Sequence, residues 1–309
     1  MPLLVAKTQI AAKAESAEGS AEVLAGADVF LAENVKFTPS ILSNKRKPTA
    51  ASLSGFAAVP GLRSGQMEFD VELKGSGTAG TPPALGKLLK TCGFGEATVA
   101  VTSVTYTPAS SAISSMTLAA YMDGMIKKIW GARGTVSIKL ESGKPAYLHF
   151  VYTGADFSVT DGAMLSAGVS FETTKPIAFQ GGALTVDSYA AVISLLEINI
   201  GNKVSLRPDA AATSGHKSAV IAARDPVMTF DPETVLVATY DFYGKLRSGA
   251  EGALSAVLTG SAGNICTITA PKVQYVDVKP AEREGFRTLG IDCQLNRNTG
   301  DDELSIAFT

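Results

Sequence analysis

Between residues 66 and 73 apolar side chains alternate with acidic ones: Met67, Phe69, Val71 and Leu73 against Glu68, Asp70 and Glu72. Period-two alternation puts one set into a core and the other on a wet face, so this stretch predicts a half-buried strand. The same reading predicts a strand over 99–106 and a first strand over the opening Met-Pro-Leu-Leu-Val-Ala-Lys. Residues 116–122 and 125–130 flank Asp123-Gly124, a strong short-range signal for a two-residue hairpin. Residues 135–140 and 146–152 flank Glu141-Ser-Gly-Lys-Pro145 and predict a second hairpin. Toward the end, 265–278, 286–295 and 304–308 predict three more strands.

Two segments predict helices. Residues 82–92 follow Thr81 as a cap, carry proline in the first turn and stop at Gly93. Leu85, Leu88 and Leu89 fall on one face at i, i+3, i+4 spacing. The second starts at Asp231-Pro232-Glu233 and runs to about Arg247, before Gly249, although its Val and Thr content is unfavourable to helix. Two polar, small-residue stretches, 40–65 and 202–224, are predicted to be loops; their length marks them as functional or disordered.

The order strand, helix, hairpin, strand, strand occurs twice. Met67-Glu-Phe-Asp70 precedes the first helix and Met228-Thr-Phe-Asp231 the second. Hairpins follow over 116–130 and 253–270, then strands over 135–140 and 273–278, then strands over 147–152 and 286–295. This pattern predicts two tandem units, 1–175 (with the long loop 40–65) and 176–309, joined near Lys175-Pro176. The fold class expected is mainly β, each unit a sandwich or small barrel with one flanking helix.

Composition narrows the function. Apolar residues make up 46% of the 309 and charged residues 18%, enough apolar material for a core. The 30 glycines suit short strands joined by turns. The net charge of −2 divides into +2 for residues 1–175 and −4 for 176–309, with no basic stripe of the kind that clamps nucleic acid. Cys92, Cys266 and Cys293 are odd in number and lack the CxxC spacing of a zinc site; they are expected to be reduced, buried thiols. No segment reaches the ~20 apolar residues of a membrane span, and the opening residues lack the basic and apolar regions of a signal peptide. A soluble protein made in the cytoplasm is expected.

Catalytic constellations are absent from the pattern. His149 and His216 are the only histidines, without HExxH spacing. His149 alternates within its strand as a wall or interface residue, and His216 is expected to be exposed in a loop. There is no GxSxG elbow and no GxxxxGK[ST] loop, and Gly75-Ser-Gly77 reads as a turn. Asp301-Asp-Glu303 is expected to be a solvated turn rather than a cation site, and Asp70 and Asp231 a repeated strand end or helix cap rather than an acid pair. An enzyme, a metal and a cofactor are therefore not expected.

The segment Gly75-Ser-Gly-Thr-Ala-Gly-Thr-Pro-Pro-Ala-Leu-Gly-Lys-Leu-Leu-Lys-Thr-Cys-Gly-Phe94 resembles the glycine-rich turn and Pro-Pro-x-Leu-x-x-Leu-Leu-x-x-Cys-Gly-Phe helix of major tail tube proteins of long-tailed bacteriophages. The ending, Asn296-Arg-Asn-Thr-Gly-Asp-Asp-Glu-Leu-Ser-Ile-Ala-Phe308, is similar to that family's C-terminus. The resemblance implies β-sandwich or barrel domains, six to a ring, whose sheets join into an inner barrel. Rings stack into a tube through which genomic DNA leaves the capsid, and long loops bridge one ring to the next. It implies a virion tail protein assembled in the host cytoplasm. Its partners would be itself, as trimers of a duplicated chain, other tail proteins such as tape measure and tail terminator, and DNA in transient passage. Neither a membrane nor a cofactor is implied.

Residue expectations follow. Lys45, Arg46 and Lys47 are candidates for inter-ring contact. Glu68, Asp70, Glu72 and Asp277 are candidates for the lumen, where neutral-to-negative potential lets DNA slide. Leu85, Leu88 and Leu89 are candidates for helix packing. The alternatives are another β-rich phage assembly module (baseplate, decoration or adhesion protein) and a β-rich enzyme, which would need clustered acids or a histidine dyad.

Overall fold

The computed structural model of the chain describes residues 3–49 and 51–309. The first half carries β1 (Thr8–Ala14), β2 (Val29–Phe30), β3 (Glu33–Asn44), β4 (Val59–Glu72), α1 (Gly86–Thr91), β5 (Phe94–Val99), β6 (Ser103–Pro108), β7 (Met116–Met122), β8 (Met125–Glu141), β9 (Tyr147–Gly154) and β10 (Asp156–Asp161). The second carries β11 (Leu184–Val186), β12 (Leu195–Asn199), β13 (Asn202–Pro208), β14 (His216–Arg224), β15 (Val227–Phe230), α2 (Phe242–Ser248), β16 (Glu251–Leu258), β17 (Cys266–Arg283), β18 (Phe286–Asn296) and β19 (Ser305–Phe308). The fold is mainly β, as the alternation predicts.

Antiparallel pairing runs without a break through eight strands: β3, β4, β9, β8, β12, β15, β18, β17. Its first four strands belong to the first half and its last four to the second. The halves meet where Leu195–Asn199 of β12 pairs with residues 137–141 of β8. A second crossing joins β19 to β6. Surrounding pairings repeat as well: β8 carries β7 and β10 at its start, and β17 carries β16 and β19. One face of the eight-stranded run is packed, with Met67, Phe69, Phe150, Ile138, Ile198, Phe230 and Ile291 in a common core.

Several elements depart from the sequence reading. The opening residues turn, and β1 begins only at Thr8; Met1 and Pro2 lie outside the described residues. Of residues 99–106, Ser103–Tyr106 are strand, in β6, while 100–102 bend the hairpin in which β5 pairs β6, with Val101 at positive φ in the turn. Residues 125–130 and 135–140 are one continuous strand, which passes through Gly131 at φ +59° and through Gly134, where a Cβ would meet Tyr152 at 2.9 Å. The stretch 40–65 is not a loop: β3 and β4 form a long hairpin arm, open only over 45–58, within which Ala50 lies outside the described residues. The stretch 202–224 is likewise a hairpin, β13 with β14. Polarity hid both, because neither is packed on both faces.

Both helices begin later than predicted. The prolines make a turn, Gly86 N–H donating to Pro83 O at 2.9 Å, and α1 follows with Gly93 stopping it at φ +83°. Helix α2 starts not at Asp231 but after Asp241, whose carboxylate caps Gly244 N–H at 2.7 Å; Gly249 ends it in the left-handed region. The β-branched run Thr234, Val235, Val237 and Thr239 loses χ1 freedom in a helix, and there the chain stays non-helical.

Candidate assembly surfaces

The second face of the eight-stranded run is polar. Alternation in β4 turns Glu68, Asp70 and Glu72 onto it, while Met67, Phe69 and Val71 are buried. Asp277 shares this face because a bulge between Tyr275 and Asp277 shifts the alternation of β17 by one. The four lumen candidates therefore lie on one continuous surface. Acids there outnumber bases but are mostly paired: Lys36 with Glu68 at 3.1 Å, His149 with Asp70 at 2.6 Å, Lys279 with Asp277 at 2.8 Å and Asp292 at 3.1 Å, and Arg283 with Asp231 at 2.8 Å. Lys139 and Glu197 pair at 3.4 Å across the junction of the halves. The Lys279 ammonium holds the Asp277 carboxyl below its usual range, and Lys144 does the same for Glu141.

The run ends in two exposed edges. Among the described residues β3 has only β4 as strand partner, and residues 275–283 of β17 have only β18. Lys36 and Pro39 stand on one edge, Lys279 and Pro280 on the other, residue types that discourage indiscriminate strand addition.

The arm β3–β4 projects with Lys45, Arg46 and Lys47 exposed near its open end. Arg46 lies over the Phe56 ring at 5.8 Å. At the arm's root Arg63 donates to both carboxylate oxygens of Asp156, at 2.7 and 3.0 Å, a bidentate pair of the strong kind.

The hairpin β13–β14 is instead folded onto the first half. Asn202 Nδ2 donates to Cys92 O at 2.6 Å and Gly134 O at 3.0 Å. Arg133, nearly buried, donates to Ala219 O and to Glu18. Ser218 Oγ donates to Glu18 at 3.0 Å. Arg224 donates to Glu303 at 2.6 Å and Ala109 O at 2.7 Å. The loop reading of 202–224 missed these tethers, because each joins residues far apart in sequence.

Leu85, Leu88 and Leu89 are buried, as their spacing predicts. Tyr152 roofs the helix, its hydroxyl donating to Leu88 O at 2.8 Å and sharing a 2.9 Å bond with Thr91 Oγ1. Burial pushes the neighbouring Cys92 thiol up to about 12, and Cys266 and Cys293 are raised by the same cause. His216 begins β14 half-buried rather than standing in an open loop. The three acids 301–303 diverge: Asp301 takes Ser110, Asp302 caps the amides of Asn298 and Thr299, and Glu303 takes Arg224. Asp231 accepts from the Ser194 and Leu195 amides and pairs with Arg283. Among the described residues no group of three or more His, Cys, Asp or Glu is arranged to hold a metal ion, and no helix is long and apolar enough to cross a membrane.

Comparison with known proteins gives one positive finding. The model of a family described as phage tail tube protein matches residues 5–305, nearly the whole chain. No curated protein matches the chain.

Proposed function

The chain belongs to the phage tail tube protein family, and from that premise we propose that it is the ring-forming subunit of a tail tube, with no catalytic role. Its family gives it a structural role in the phage tail, and the resemblance read from residues 75–94 and 296–308 is borne out by the match. The finer reading rests on one observation: an eight-stranded sheet with a polar face, two exposed edges and an internal junction where β12 of the second half pairs β8 of the first. A barrel closed through such edges removes them from water.

In this reading residues 1–175 and 176–309 each supply one tube-like unit, and three copies supply the six units of a ring. With strands spaced about 4.8 Å apart and tilted by roughly 40°, three copies close a barrel about 48 Å across, wide enough for duplex DNA. The polar face, with Glu68, Asp70, Glu72 and Asp277, lines the lumen. Its paired, slightly acidic surface offers phosphate no grip. Lys45, Arg46 and Lys47 at the arm's open end meet acidic surface of a neighbouring ring. Helix α1, held by Leu85, Leu88 and Leu89, flanks its own unit and helps set the angle to the next. Rings stack in the host cytoplasm with the tape measure and terminator proteins of the tail, and the finished tube passes DNA during ejection.

Negative-stain microscopy of the purified protein tests this. Hollow tubes or stacked rings are expected; particles that stay single chains at every concentration and salt would contradict it.

A further inference from the structure

The arm and the hairpin stand at the same place in the two halves. In the arm Ile41 pairs with Arg63, Ser43 with Pro60 and Asn44 with Val59. In the hairpin Asn202 pairs with Arg224, Val204 with Ile221 and Ser205 with Val220. Each hairpin residue lies 161 positions beyond its arm counterpart, as Arg224 does from Arg63. Both ladders slip at the same point, and the flanking pairs, Phe37 with Met67 and Ile198 with Met228, keep the same offset.

Their surroundings differ. The hairpin is seated, with Asn202 over Gly134 of β8. Among the described residues the arm is held in the chain only at its root, where Arg63 N–H donates to Ser214 O at 3.0 Å and Leu62 packs on Gly215; beyond it Ile41 is 54% exposed, Leu42 52% and Val59 50%. The second half contains the counterpart of the hairpin's seat. Met67 pairs Tyr152, which pairs Gly134; Met228 pairs Cys293, which pairs Tyr275. The counterpart of Gly134 is thus the Tyr275 bulge, where Val276 is 59% exposed. The chemistry also matches. Asn202 meets a backbone carbonyl, whereas Ile41 in the same register would meet an apolar side chain.

We propose that the arm of one copy lies on β17 of a second copy in the same ring, with Ile41 against Val276, as the hairpin lies on β8 within the chain. This rests on the ring reading above and adds the partner surface. Only the open end with Lys45, Arg46 and Lys47 is then left to reach beyond the ring.

The test is the double variant Ile41→Cys with Val276→Cys, oxidised after assembly. The native thiols are buried, so the parent chain sets the baseline. Disulfide-linked dimers and trimers are expected in isolated, unstacked rings, and neither single variant forms them. Ile41→Asp in the native background is expected to keep the fold by circular dichroism and to lower the yield of rings at least tenfold. Rings that form without the cross-link while Ile41→Asp assembles normally would overturn the docking and leave the ring reading standing. Cross-links that appear only when rings stack would also overturn it, since the arm would then reach the next ring. A parent chain that never forms rings would overturn both.

Discussion

Two hairpins in the same register, one in each half of the chain, meet opposite environments. The arm carries Ile41, Leu42, Val59 and Leu62 into solvent, while the hairpin has Asn202, Ser218 and Ala219 buried on the neighbouring half. Both are rooted by an arginine at the same register position, Arg63 on Asp156 and Arg224 on Glu303 and Ala109 O. The local strand geometry therefore does not decide burial. What differs is the neighbour: the hairpin lies against β8 and the Cys92 carbonyl of the first half, and among the described residues no comparable surface covers Ile41, Leu42 and Val59. An exposed apolar hairpin in a single chain then reads as half of an interface.

The largest effect on this contrast comes from the floor of the hairpin's seat. Leu88 is fully buried in α1, whose C-terminal carbonyl at Cys92 accepts from Asn202. Leu88→Ala is expected to cost about 2–5 kcal/mol in chemical denaturation. Amide exchange should rise across 202–224 and stay unchanged across 39–44. An unaltered denaturation midpoint would show that α1 is not packed as described.

A smaller effect separates the two hairpins directly. Asn202→Ala leaves the Cys92 and Gly134 carbonyls without this donor and should cost roughly 1–3 kcal/mol in the dilute chain. Ile41→Ala, at the same register position in the arm, should change the dilute chain by less than about 0.5 kcal/mol. Equal costs would mean that the arm is already seated within one chain.

Acid should loosen the hairpin. The hydrogen bond from Arg133, helped by Ser218, lowers the Glu18 pKa from its ordinary value of 4.5. A carboxyl with a depressed folded pKa gives its stability above the unfolded value and loses it as pH falls through the folded one. Exchange in β14 is expected to accelerate below about pH 4.5, with nothing attributable to Glu18 above it. Acceleration between pH 5 and 7 would assign the seat to other groups. The smallest effect belongs to the exposed pair Lys139–Glu197 across the internal junction. Lys139→Ala should cost about 0.2–1 kcal/mol and vanish into the baseline at high salt.

Much of the fold was legible because alternation is local. Met67 to Leu73, the Asp123-Gly124 turn and the closing strands stand where their pattern puts them. The leucine face of α1 was legible for the same reason. The arm and the hairpin were not, since a strand exposed on its faces has no apolar period to read, and small polar residues mimic a loop. The start of α2 failed because Asp231-Pro232 resembles a cap, yet its carboxylate is taken by Ser194, Leu195 and Arg283 from distant strands. Of the candidate surfaces, the acidic face of β4 was visible as a pattern. Its continuity with Asp277 was not, because the bulge in β17 leaves no signature in composition.

The central claim, that one chain supplies two equivalent units of a six-unit ring, is tested most directly by the native mass of single rings. The account predicts three copies, three times the 31.9 kDa of the chain. Rings of six copies would contradict it.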